Sequence, residues 1–144
     1  MTLPDASSRT AFQYLVLRCV PRVEREEFVN VGVVLYCEAA GFLDTASHVD
    51  DARLRALDAE VDVASVRRAL RGVAEVCRGG ASLDLAVGSR ATAYGTREVA
   101  DTLGTRFGLL RAPRSTVVQP GPVHGGTTGD PAAELTRLLA AYVL

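Results

Sequence analysis

Lysine is missing from this chain: all sixteen positive side chains are arginine. That removes every chemistry that needs an amine side chain, including a Schiff base, a pyridoxal site and a phosphate-loop lysine. Arginine still suits two-point recognition of a carboxylate or phosphate, although a coding bias toward arginine is the simpler source of the skew. Cysteine is scarce and odd in number; Cys19, Cys37 and Cys77 are far apart in the sequence. With no CxxC pair, a zinc site built on paired thiolates is excluded, and single thiols in apolar surroundings point to a reducing, cytoplasmic compartment. The two histidines, His48 and His124, show no spacing that demands a metal, so neither a metal nor a cofactor is expected. The net charge of −1 leaves no basic excess to neutralise a phosphate backbone, so nucleic acid is not an expected partner. The opening MTLPDASSRT carries no hydrophobic targeting run, and no apolar stretch approaches the length of a membrane span.

What is present is a globular composition. At 144 residues, with 48% hydrophobic and 23% charged, the chain is expected to form one domain over 1–144 with a loose tail at 1–11. Its organising stretch runs from Tyr14 to Cys37. Tyr14 to Val20 is rich in branched and aromatic residues and predicts a strand that stops at Pro21; Arg22 to Glu27 predicts a charged turn, and Phe28 to Cys37 a second strand. Strict alternation puts Val29, Val31, Val33, Leu35 and Cys37 with Leu15, Leu17 and Cys19 on an apolar face. The other face is mixed: Phe28, Asn30, Gly32, Val34 and Tyr36 with Tyr14, Val16, Arg18 and Val20. A turn centred near Glu24 sets Arg18 opposite Asn30 and Val16 opposite Gly32, with a shallow gap at the glycine.

Downstream, Phe42 to His48 predicts a third strand, and Asp50 or Asp51 caps a short helix through Leu54 and Leu57. Asp62 caps a longer helix with Val63, Val66, Leu70, Val73 and Cys77 at helical spacing, ended by Gly79-Gly80; Arg67, Arg68 and Arg71 read as its solvated face. Residues 81–95 read as a surface connection with one short strand at Leu83 to Val87, and Thr96 as the cap of a helix carrying Val99, Leu103 and Phe107. Ser115 to Gln119 predicts a strand limited by its neighbouring prolines. His124 to Asp130 reads as a turn, with Asp130 and Pro131 opening a last helix striped by Leu135, Leu138, Leu139 and Tyr142.

The site candidates follow from this layout. Arg18, Asn30 and Gly32 combine a charge, an amide and a gap on the mixed face. Arg114 stands where the chain turns back onto the sheet and reads equally as a structural carbonyl binder or an anion holder. Ser115, which reads first as a strand or cap hydroxyl, and Gln119 complete the candidate ligand-binding set. His124, set among prolines and glycines, is the candidate acid or base. The acidic turn residues Glu24, Glu26 and Glu27 alternate with Arg22 and Arg25 and read as a solvated turn.

Two long stretches carry a family resemblance. VLRCVPRVEREEFVNVGVVLYC, together with RFGLLRAPRSTVVQPGPVHGG and GDPAAEL, resembles the bacterial family known as domain of unknown function 3037. The match covers Tyr14 to Cys37, a weaker patch at Arg53 to Asp58, and Arg106 to Leu138. The resemblance implies a small cytoplasmic bacterial protein whose relatives tend to be encoded beside a HipA-like kinase, hence a partner role; it transfers no catalytic residue. The chain departs from the pattern at Leu109, where relatives often carry tryptophan, and at Gly121, Gly125 and Gly129, where polar side chains are expected. Those glycines weaken any site built from the loop after Gln119.

The expected fold is α+β, an antiparallel sheet started by the long N-terminal hairpin with three to four helices packed mainly on one face. Two functions are carried forward. One is a non-catalytic accessory or interaction protein in the bacterial cytoplasm, partner of a HipA-like kinase. The other is a small enzyme or ligand-binding protein for a phosphorylated or carboxylated molecule, its site lined by Arg18, Asn30, Arg114 and His124, with the arginines orienting the anion and His124 handling protons.

Overall fold

A computed structural model of the chain describes residues 8–79 and 100–144. The described elements are β1 (Thr10–Cys19), a 3-10 turn (Val23–Arg25), β2 (Val29–Cys37), β3 (Phe42–Ser47), α1 (Asp51–Leu57), α2 (Val63–Arg78), α3 (Leu103–Arg111), β4 (Val118–Pro120), β5 (His124–Thr128) and α4 (Pro131–Tyr142). They build an α+β fold around an open antiparallel sheet of order β3-β2-β1-β4, with β5 also paired to β1. β1 is long because it serves two partners on one edge: Cys19 to Leu17 pair with Val118 to Pro120, and Tyr14 to Thr10 with His124 to Thr128. None of the helices among the described residues is long and apolar enough to cross a membrane.

Local signals explain most boundaries. The carboxylates of Asp50, Asp62 and Asp130 each accept the backbone N–H three residues on, answering donors that a helix start leaves open. Gly79 closes α2 in the left-handed conformation at φ +80°, where a side chain would be strained. Thr102 and Thr105 form a reciprocal capping box that opens α3 at Leu103. The expected cap at Thr96 and strand at Leu83 to Val87 lie outside the described residues. Arg106 then ties α3 to α2, bonding Asp101 at 2.7 and 3.1 Å and the Cys77 carbonyl at 3.5 Å.

Both sheet faces are apolar, which strict alternation along the hairpin does not predict. Arg18 does pair with Asn30, but Leu17 pairs with Gly32 and Val16 with Val33, so β2 holds one extra residue, Val31. This β-bulge sends Val31 and Gly32 to the same side and reverses the alternation beyond it. Leu15, Leu17, Cys19, Val31 and Val34 therefore meet α1, α2 and α3, through Leu54, Val66, Leu70, Phe107 and Leu110. Val33, Leu35 and Cys37, expected beside them, lie on the opposite face with Phe12, under Leu135, Leu138 and Val143 of the α4 end. Among the described residues, three helices thus cover one face and one helix part of the other.

Two more expectations are corrected. β1 begins at Thr10, inside the stretch expected to be loose, because β5 supplies it with a partner. His124 to Thr128, expected as a turn, is that partner. Its glycines fit the site: a Cβ on Gly126 would stand 2.9 Å from Phe12 Cζ, so the backbone approaches the ring only without one.

Candidate functional site

α4 packs over the part of its face built by Phe12, Val33, Leu35 and Cys37. Alternation along β1 puts Tyr14, Val16 and Arg18 on that face too, and these three stay half-buried beyond the helix. At the middle of this open half, Arg18 is flanked in the sheet by Asn30 on β2 and Gln119 on β4. Arg18, Val20, Val23, Glu26, Phe28 and Gln119 line a groove of about 330 Å³.

The Arg18 guanidinium is held by packing rather than by an anion. Its Cζ lies 4.1 Å from the centroid of the Phe28 ring, a cation–π contact worth about 0.5–1 kcal/mol at such an exposed site. On the chain beside it runs Gly121, whose N–H donates to the Val16 carbonyl at 2.8 Å. A Cβ at Gly121 would stand 3.2 Å from Arg18 Nε and 3.3 Å from Cζ. A side chain at Gly121 would therefore crowd the guanidinium. Arg18 Nε is enclosed with no hydrogen-bond partner, an arrangement that typically costs about 1–3 kcal/mol. The charged neighbours Arg22 and Arg25 are already occupied by Glu24 and Glu27.

The other end of the open half is aromatic. Tyr14 stacks on Tyr142 with centroids 6.1 Å apart and lies 5.3 Å from the His124 ring. Burial, followed by the neighbouring Tyr142, raises the Tyr14 phenol above its ordinary pKa. Asn30 Nδ2 donates to the Tyr142 carbonyl at 3.1 Å, so that amide caps the end of α4. Val23, Phe28 and Tyr142, at 43%, 44% and 46% exposure, are three of the four exposed large apolar side chains among the described residues, and all three border this surface.

Arg18, Asn30 and Gln119 are thus brought together, with His124 on the same face but paired with Tyr14, four residues or about 13 Å along β1 from Arg18. The Gln119 amide donates to the Thr116 carbonyl at 3.0 Å. Gly32 faces the other core; a Cβ there would meet Leu17 Cδ1 at 3.2 Å and Ser47 Cβ at 3.3 Å, so no gap exists. Arg114 is also on that far side, donating to the Leu109 carbonyl at 2.7 Å beside a 250 Å³ apolar cleft lined by Val73, Val76 and Val118. Ser115 is exposed in the connection between α3 and β4. The Arg111 to Gly126 stretch does not lie over the mixed face; its strands extend the sheet sideways. None of Phe28, Val23, Gly121 and Tyr142 was among the candidate site residues; Gly121 was expected only to weaken a site and Tyr142 only to fill the core. Phe28 and Val23 had a readable signal, being large apolar residues beside or inside a charged turn; the contacts of Gly121 with Arg18 and of Tyr142 with Tyr14 had none, because those partners are remote in sequence.

The described residues contain no cluster of three or more His, Cys, Asp or Glu side chains placed to hold a metal. Burial pushes the Cys19 thiol up to about 11, and burial with Asp44 nearby pushes Cys77 up to about 12, so neither is a ready nucleophile at neutral pH.

No curated protein and no solved structure matches this chain. A family model described as "Protein of unknown function (DUF3037)" matches residues 14–143, which includes both sheet edges, all four described helices and the Arg18 groove, and the chain therefore belongs to that family.

Proposed function

We propose that this protein is a non-catalytic interaction module that docks a protein partner on the open half of the α4 face. The observation that carries the reading is Arg18, a cation with no hydrogen bond or ion pair among the described residues, set in a groove beside the exposed Phe28 and Val23. Interface centres are enriched in arginine and aromatic side chains and are rimmed by polar groups. Exposed apolar residues gathered around one arginine fit that pattern better than a small-molecule cavity. The finer form of the reading is a HipA-like kinase as the partner, in the bacterial cytoplasm, which the family resemblance supports; buried, unpaired thiols agree with a reducing compartment.

The enzyme or small-ligand alternative has less support. It needs Arg18, Arg114 and His124 around one group, whereas Arg114 faces the other core and His124 is stacked on Tyr14. The test is capture from native lysate with the wild-type chain and with a Phe28→Ala/Tyr142→Ala double variant, followed by calorimetry on the recovered partner. We expect the double variant to bind about ten-fold or more weaker with its circular dichroism unchanged. Equal binding by both proteins, or turnover of a substrate without any partner, would overturn the proposal.

A further inference from the structure

We infer that the apolar cleft between α2, α3 and β4 binds a medium-chain aliphatic carboxylate, with the chain in the cleft and the head group on Arg114. The site is separate from the docking surface: it opens on the other face of the sheet and uses neither Arg18 nor His124. Ala69, Gly72, Val73 and Val76 recur at helical spacing along one side of α2 and line the cleft, opposite Leu109 and Leu110 of α3. Ala69, Val73 and Leu109 pack against the core yet stay half-buried, so among the described residues nothing closes over them. Gly72 sits in the middle of a sixteen-residue helix, where glycine is less stable than alanine. No packing among the described residues calls for it, since a Cβ built there would meet no atom within 4 Å. Its missing side chain keeps the cleft open. At ~30 Å³ for a small group, the share of one water in the liquid, a cleft of 250 Å³ takes about eight such groups.

The charges at the rim select the head group. Arg114 spends Nη2 on the Leu109 carbonyl, while its Nε and Nη1 make no hydrogen bond among the described residues and the side chain forms no ion pair there. No carboxylate lines the cleft. From residue 103 to residue 129 the chain carries three arginines and neither Asp nor Glu, and α2 carries four arginines against Glu75. The local field is therefore positive, and the unbonded N–H groups of Arg114 are the donors that an anion would meet. Their fixed plane matches the two oxygens of a carboxylate. Arg114 is the one cation of the lining, which suits a monoanion better than a phosphate dianion. Thr116, exposed at the same rim, is the remaining polar group.

The experiment is calorimetry on the full-length protein with octanoate, octanamide, acetate, octyl phosphate and the uncharged dipeptide N-acetyl-leucyl-leucine amide. Octanoate is expected to saturate one site, octanamide to bind about ten-fold weaker, and acetate and the dipeptide not to saturate in the same range. Arg114→Gln should weaken octanoate about ten-fold and leave octanamide unchanged; an equal loss for both would mean that Arg114 only braces the Leu109 carbonyl, and would overturn the inference. Gly72→Leu, which fills the cleft, should abolish binding of both octyl probes while its melting temperature holds or rises, because leucine is the better helix former. In the wild-type protein, nuclear Overhauser contacts from the terminal methyl of octanoate to the Val76 and Val118 methyls place the ligand without any variant. Octanoate that does not saturate, contacts confined to another surface, undiminished binding by Gly72→Leu, or equal or tighter binding of octanamide, octyl phosphate or the dipeptide would each overturn it.

Discussion

Cys19 of β1 and Cys77 of α2 lie within the core, at 0% and 4% exposure, and their thiols keep the proton to about 11 and about 12 because burial disfavours the thiolate. An unfolded chain releases those protons near pH 8.5. Above that pH the folded state binds more protons than the unfolded one, so the contribution to stability is complete below it and fades as pH climbs toward 11–12. The urea midpoint is therefore expected to fall between pH 8 and pH 10.5, with a shallower fall in Cys77→Ala. At pH 8 a thiol reagent should label these two residues only as fast as the protein opens. Rapid labelling of the native chain would contradict their enclosure. Candidate residues chosen by type have separated in the same way: Arg18 and Arg114 carry the same guanidinium, but one is aimed at an open groove and the other at a helix-end carbonyl. Residue type did not distinguish them, because the bond each arginine makes depends on the element packed beside it.

At the level of elements, the bulge at Val31–Gly32 and the pairing of β5 decide what the sheet presents. One extra residue in β2 moves Val33, Leu35 and Cys37 to the α4 face and gives the sheet two apolar sides. β5 was unreadable as a strand because HGGTT has low strand propensity; its pairing is imposed by β1 and by the fit of Gly126 to Phe12. Gly126→Ala is expected to destabilise by about 1–3 kcal/mol, since the ring at 2.9 Å has to move. Gly125→Ala, whose Cβ would meet only the Phe12 carbonyl at an ordinary 3.6 Å, should be close to neutral. Urea titrations of the two variants read the contrast, and equal costs would mean that Phe12 does not pack on β5 as described. By comparison the helices were legible, since Asp50, Asp62, Gly79 and Asp130 act on groups within a turn of themselves.

Across the whole molecule, the two cores share β1 and β2 as their common wall. Leu138 is 1% exposed on one face and Leu15 is fully buried on the other. Leu138→Ala should cost about 2–5 kcal/mol, the usual range for emptying such a site. Because the same strands support both layers, the loss should be felt on the far side of the sheet. The denaturation midpoint read by circular dichroism and that read by Cys77 labelling should fall together. Two separated transitions would show the faces to be independent units. Among the described residues the cover of the α4 face is incomplete, and this also belongs to this scale: a twelve-residue helix spans part of a five-stranded sheet, and the strip from Tyr14 to Arg18 is what it leaves.

Sequence alone determined the α+β class, the hairpin from the Tyr14 stretch to Cys37, the helix caps at Asp50, Asp62 and Asp130, and the exclusion of amine and paired-thiolate chemistry. Each of these rests on composition or on neighbours within a few residues. Tertiary structure alone decided the face each strand residue occupies, the pairing of β5, and the meeting of Arg18 with Phe28 and Gly121. The physical reason is that a bulge of one residue is selected by how well two layers pack, and a gap for a guanidinium exists only once a distant glycine has been brought against it.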